Sequence, residues 1–469
     1  MLIRAAEIDG RRLDVRIAGA RIAEIGEALI ATAGAQVIDA DGAALLPGLH
    51  DHHIHLRALA AARASVDCGP PKVRDAAGLA EALRAADARL EAGAWLRGIG
   101  YHESVMGELD RAALDALLPQ RPLRIQHRSG RLWVFNSAAI ERLAPDAAAP
   151  LDRRRGHLLD SDDWLRARLR TQPPSLRAIS LELAAHGVTG VTDTTHHNGP
   201  AALADFAAAR ARGELLQRVR VMGDARLDDE TDRAGAERGE HKFHLHEHAL
   251  PALDALIDAI RRSHDHGRGC AFHCVTRTEL VFALAALRAA GVWRDRIEHA
   301  AVAPPELVED IAALGLTVVT QPGFIAARGD DYLREVERED QPWLYRLRGF
   351  VDAGVPLALS TDAPYTDADP WAAIAAAATR RTTSGAVLGA GEALSPAEAL
   401  ARFLTPAAQP GGNARRLRPG VCADLCLLDR GLAEALRDPA AVRVRACVID
   451  GALVYRAGGG TSPQAKQAQ

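Results

Sequence analysis

Long apolar runs are missing from this chain. No stretch of about 18 apolar residues occurs, which excludes a membrane-crossing helix. Basic runs with interleaved aromatics are also missing, and the formal net charge is −4, so no nucleic-acid partner is expected. Cysteine is sparse. Cys68, Cys270, Cys274, Cys422, Cys426 and Cys447 form no C-x-x-C pair, and the two pairs spaced four apart have no second half nearby. A structural zinc motif is thereby excluded, and the six read as buried, reduced thiols. The first residues, Met1-Leu2-Ile3-Arg4, turn acidic by Glu7 and Asp9 and lack a signal-peptide apolar core. The expected location is cytoplasmic. There is no dinucleotide loop either, since Gly98-Ile99-Gly100 runs into Tyr101-His102-Glu103. No internal repeat is visible.

What is present is an ordinary globular composition, a quarter of it charged, in a chain long enough for a large domain plus a small one. Residues 1–46 read as short strands and turns. Leu13-Asp14-Val15-Arg16-Ile17 alternates at period two, and Asp9-Gly10 and Asp41-Gly42 are turn dipeptides. The pattern returns near the other end, in residues 423–428 and 442–449. One β-rich domain built from 1–46 and 406–458 is the economical reading, with 459–469 as a disordered tail. Between these ends, strand-like runs (123–126, 188–193, 219–222, 271–274, 316–320, 357–360) alternate with Ala/Leu-rich helical stretches (77–92, 253–262, 278–290, 305–314). Such alternation implies a parallel sheet with flanking helices, either a barrel or an open sheet.

The sharpest motif is Leu45-Leu46-Pro47-Gly48-Leu49-His50-Asp51-His52-His53-Ile54-His55. On a strand, His53 and His55 point to one side, so both imidazoles can reach one metal. Four later segments carry ligand-type residues, most of them near candidate strand ends. They are His241-Lys242-Phe243-His244-Leu245-His246-Glu247, Cys270-Ala271-Phe272-His273-Cys274, Arg296-Ile297-Glu298-His299-Ala300 and Leu357-Ala358-Leu359-Ser360-Thr361-Asp362. Histidines and an aspartate from separate strands can converge at the C-terminal mouth of a barrel, and nitrogen with carboxylate ligands suits zinc and its neighbours.

The order H-x-H, Lys, His, His, Asp resembles the amidohydrolase superfamily, and its details resemble the amidohydrolase 3 branch that includes N-substituted formamide deformylases. The resemblance runs over essentially the whole chain, including Arg418-Pro419-Gly420-Val421-Cys422-Ala423-Asp424-Leu425 near its end. It implies a (β/α)8 barrel over 47–405, a small β-sandwich from both chain ends, and two divalent metal ions, most naturally zinc. His53 and His55 would bind the more buried ion, and His273 and His299 the second. Lys242, carbamylated, would bridge the two. Asp362 would ligate the first and act as general base toward the bridging hydroxide, which attacks the carbonyl of a small amide, N-acyl or N-formyl compound. A homodimer is also implied.

Around Lys242 the chain departs from the family, continuing to Glu247-His248 where Asp-Gly is usual. Without the lysine bridge the site becomes mononuclear, as in deaminases or cyclic-imide hydrolases. His244 and His246 then become candidates for substrate or metal contact. Residues 126–137 keep Arg128, Gly130, Trp133, Asn136 and Ser137 of a branch pattern but have Ser129 and Arg131 where Asp and His are usual, so Arg128 and Trp133 are expected to touch substrate. His50 and His52 are read as supporting residues. Asp51 is read as orienting a ligand histidine or holding the strand. His196 and His197 are assigned to the mouth or a solvated loop, and His264 and His266 to solvent. His102 and Glu103 are further candidates for the pocket lining. The rival of another class is a non-catalytic binding protein on the same fold, and the filled ligand set argues against it.

Overall fold

A computed structural model of the chain describes residues 1–70, 72–169 and 174–458; the tail expected at 459–469 lies outside them. Eight strands form one sheet in chain order, each parallel to the next: Leu49–Ile54, Val188–Asp193, Arg218–Gly223, Ala236–His244, Cys270–Cys274, Arg296–His299, Thr317–Thr320 and Leu357–Leu359. The ring closes just past the eighth strand, where Asp362 N–H donates to His53 O at 2.8 Å and His55 N–H to Ala363 O at 3.0 Å. This is a (β/α)8 barrel with one irregularity. A 3-10 turn, Ala225–Leu227, replaces the helix between the third and fourth strands.

Local sequence explains the elements. The first and second barrel strands are buried at every position, as strands covered on both faces should be. The Pro-Gly that precedes the first strand is a packing requirement, because a Cβ on Gly48 would meet Thr189 Cγ2 at 2.1 Å. Helix Arg277–Ala290 starts in a capping box between Thr276 and Glu279, and helix Pro396–Phe403 in one between Ser395 and Glu398.

Both chain ends meet in a sandwich. One four-stranded sheet comprises Leu2–Ile8, Arg11–Ala18, Arg21–Gly26 and Val37–Asp39. The other comprises Leu45–Pro47, Leu425–Leu428, Val444–Ile449 and Ala452–Arg456. Ile3, Val15, Ile22 and Ile38 pack with Leu425, Leu427 and Val448 in one core.

The stretch 47–405 is not one continuous barrel. Residues 57–175 form a separate compact unit, while 1–56 and the chain from 176 onward make the other. The inserted unit has its own six-stranded sheet of Val66–Asp67, Leu96–Tyr101, Leu123–His127, Leu132–Phe135, Leu151–Asp152 and His157–Leu159. The strand expected at 123–126 and the helix expected at 77–92 therefore belong to the insert, which corrects their reading as barrel elements. All six cysteines are free thiols. Among the described residues, no helix is long and apolar enough to cross a membrane.

Candidate active site

The expected ligands all stand at the C-terminal ends of barrel strands. His53 and His55 leave the first strand, Lys242 the fourth, His273 the fifth and His299 the sixth, and Asp362 follows the eighth. Asp362 Oδ1 lies 3.4 Å from His53 Nε2 and 3.3 Å from His55 Nε2, and Asp362 Oδ2 lies 3.9 Å from His299 Nδ1. One donor atom each from His53, His299 and Asp362 fall within 4.8 Å of one another. The His273 ring is 4.6 Å from that of His299. His299 and Asp362 hold left-handed backbone, φ 67° and 57°, a conformation that costs a non-glycine residue of the order of 1 kcal/mol or more and that aims these side chains.

Two buried polar atoms of this cluster, Lys242 Nζ and Asp362 Oδ1, have no hydrogen-bond partner among the described residues. Buried polar atoms are normally satisfied, so the open carboxylate oxygen fits a site built around a cation, which the lysine nitrogen could join only as an anionic carbamate. Lys242 is no surface lysine. It is 5% exposed, and burial pulls its ammonium down to about 8, against the opposing charges of Glu298 and Asp362.

The imidazoles of His53, His273 and His299 are held neutral, the form that ligates a metal. Burial, helped by Lys242, lowers His53 to about 3, and burial with His53 lowers His299 to about 3. Burial also takes His273 well below its usual value. Three residues that spacing alone did not single out hold the imidazoles, and the two obligate acceptors among them, Glu298 and Gln321, set the tautomers of His53 and His299. His53 Nδ1 is 2.5 Å from Glu298 Oε2, whose other oxygen accepts from Arg296 Nε at 2.5 Å. Burial would raise the Glu298 carboxyl, but Arg296, Lys242 and His53 hold it well below the usual range, so His53 Nδ1 donates and Nε2 stays free for a ligand. His299 Nδ1 is 2.7 Å from Gln321 Oε1, and Gln321 Nε2 donates to Val319 O and Ser360 Oγ. His55 Nδ1 meets Thr195 Oγ1 at 3.1 Å. Glu298 and Arg296 flank Ile297 at the period of a strand, which was the available signal for them.

The other expected residues fall as follows. Among the described residues, Asp51 makes no hydrogen bond to a histidine ring. Its carboxylate accepts from the N–H groups of His53 and Thr361 and from Thr361 Oγ1 at 2.5 Å, so it joins the first strand to the eighth. His50 bonds Thr192 and His52 bonds Thr405, both in support of the fold. His264 corrects the expectation of a solvent-facing ring, because it is half-buried and 2.9 Å from buried Asp295; His266 is exposed. His244 and His246 are exposed beside the ligands, with rings 4.3 Å apart and His244 4.5 Å from His273. The His196 ring joins them, 4.6 Å from His244.

Arg128 and Trp133 lie in the inserted unit. Trp133 is a core residue of that unit, 4% exposed, with the guanidinium carbons of Arg97 and Arg124 at 5.2 and 5.0 Å from its ring. Arg128 is exposed on the turn after Leu123–His127. His102 pairs with Glu103 in the same unit.

A parallel barrel whose C-terminal mouth gathers neutral histidines, a carboxylate and a buried lysine defines a metal-dependent hydrolase. Residues 36–455 match the model of the amidohydrolase family. The chain therefore belongs to the amidohydrolase family and is a hydrolase of carbon–nitrogen bonds other than peptide bonds. It is 26% identical to N-substituted formamide deformylase of Arthrobacter pascens, over 94% of both chains. It is 22% identical to the putative amidohydrolase YtcJ of Bacillus subtilis, over 89% of this chain and 90% of that one. Among solved structures, an uncharacterized metal-dependent hydrolase from Pyrococcus horikoshii superposes with TM-score 0.75 at 20% identity, covering 94% of this chain and 97% of that one. N-isopropylammelide isopropylaminohydrolase from Burkholderia multivorans does so with TM-score 0.54 at 18% identity, covering 97% and 98%.

Proposed function

We propose that this chain hydrolyses a small amide of the N-acyl or N-formyl class at a two-metal centre. The observation that carries the reading is the buried, unpartnered Lys242 beside the convergent His53, His299 and Asp362. His53, His55 and Asp362 would hold one divalent ion and His273 and His299 another, with the Lys242 carbamate between them. Bound metal supplies Lewis acidity, which lowers the pKa of water from about 16 to about 7 and polarises a carbonyl.

The chain's own groups do the rest. Glu298, Gln321 and Thr195 fix the imidazoles. Asp362 takes the proton of the attacking water and returns it to the leaving nitrogen. The relative from Arthrobacter pascens, named for N-substituted formamides, supports the substrate class.

A second reading, a mononuclear deaminase or cyclic-imide hydrolase, draws on the compact set His53, His299 and Asp362, which leaves out His273. Metal content by elemental mass spectrometry separates the two. Two equivalents per chain together with formamide turnover support the first, and one equivalent with turnover of an aminated heterocycle supports the second. A metal-free protein that takes up neither zinc nor manganese sinks both.

A further inference from the structure

The wall of the mouth beside His299 carries a cation, Arg328, that no acid among the described residues answers. Helix Gly323–Glu335 follows the seventh barrel strand, and Phe324, Arg328 and Tyr332 fall four apart on it, so they share one face. The Phe324 ring lies 6.5 Å from the His299 ring and 5.2 Å from Tyr345, and Tyr332 stacks on Tyr345 at 6.0 Å. The guanidinium carbon of Arg328 sits 5.4 Å over the Phe324 ring. Arg328 is exposed and makes no hydrogen bond or ion pair among the described residues. The acids near it in sequence are engaged elsewhere: Asp331 pairs with Arg334, and Asp330 accepts from Ser384. The charges of Asp362 and Arg328 both reach Tyr332 and Tyr345, which places the tyrosine pair near the two groups at once.

This arrangement is suited to an anion. A guanidinium resting on an aromatic face keeps its fork of donors free and its plane restrained, and the fork matches a carboxylate with two parallel hydrogen bonds. We propose that Arg328 binds a carboxylate on the substrate, so that the amide hydrolysed here belongs to an N-acylated or N-formylated amino acid rather than to a neutral amine. This rests on the amide-hydrolase reading above.

Calorimetry on the zinc-supplemented full chain carrying Asp362→Asn provides the test, with N-formyl-leucine and its decarboxylated analogue, N-formyl-3-methylbutylamine, as probes. The carboxylate compound is expected to bind about tenfold tighter or better. Arg328→Gln should erase that difference without weakening the neutral compound, and Arg328→Lys should keep part of it. Equal binding of the two probes, no binding of either, or a preference that survives Arg328→Gln overturns the proposal. Turnover by the unmodified enzyme is read separately. Discriminating binding without hydrolysis of either probe leaves the Arg328 site standing and sinks the amide reading. Hydrolysis of both probes alike sinks the carboxylate site alone.

Discussion

His53 and Glu298 face each other across 2.5 Å in the barrel interior, at 1% and 0% side-chain exposure, with Arg296 on the far oxygen of the carboxylate. The contact assigns the histidine proton to Nδ1 and leaves Nε2 directed at Asp362. A carboxylate behind a metal-binding imidazole fixes its orientation and raises its basicity. Glu298→Gln, which keeps the shape and loses the charge, is expected to weaken metal binding about 10- to 100-fold. A zinc titration against a competing chelator measures it, and an unchanged affinity removes Glu298 from the site. Glu298→Ala strands the buried Arg296 and should cost about 3–5 kcal/mol of stability.

Asp362 is the proposed proton carrier. Asp362→Asn should lower kcat by about 10²- to 10⁴-fold while the protein stays folded. Circular dichroism and formamide turnover on the same sample check it. Near-normal turnover in the folded variant sinks the assignment.

Lys242 bears on the metal count. Carbamate formation consumes the neutral amine. With its pKa brought down to about 8 by burial, the side chain keeps a neutral fraction of roughly a tenth at pH 7, and that fraction grows as pH rises through 8. Lys242→Ala is expected to lose one metal per chain and to regain part of its activity with added short carboxylates. Unchanged metal content means that Lys242 bridges nothing.

Much of this site was legible because its ligands come from short, local signals. H-x-H on a buried strand, and a histidine or aspartate closing an apolar run, mark strand ends whatever the rest of the fold does. The barrel strands at 188–193, 218–223 and 270–274 also read from their apolar runs. What did not read was topology. The strand at Leu123–His127 has the same local pattern as a barrel strand, yet it pairs antiparallel with Leu132–Phe135 inside the insert. Long-range partners such as Glu298 for His53, 245 positions away, are set by barrel register, which spacing along the chain does not encode.

Asp51 offers a test of the seam between the first and eighth strands. Burial raises its carboxyl to about 7, against the bonds from Thr361 and the His53 N–H. In the unfolded chain it titrates near about 3.9. Between these values the folded protein binds a proton that the unfolded chain has lost, so stability must fall as pH rises through this window. The contribution is up to a few kcal/mol, at 1.36 kcal/mol per pKa unit. Asp51→Asn keeps a carbonyl acceptor for the two N–H groups and removes the titration. Urea midpoints at pH 5 and pH 7.5, with chelator in every sample, should therefore drop more for the parent than for the variant. Equal drops would mean that Asp51 is already ionised at pH 5 in the fold, held so by Thr361 rather than neutralised by burial.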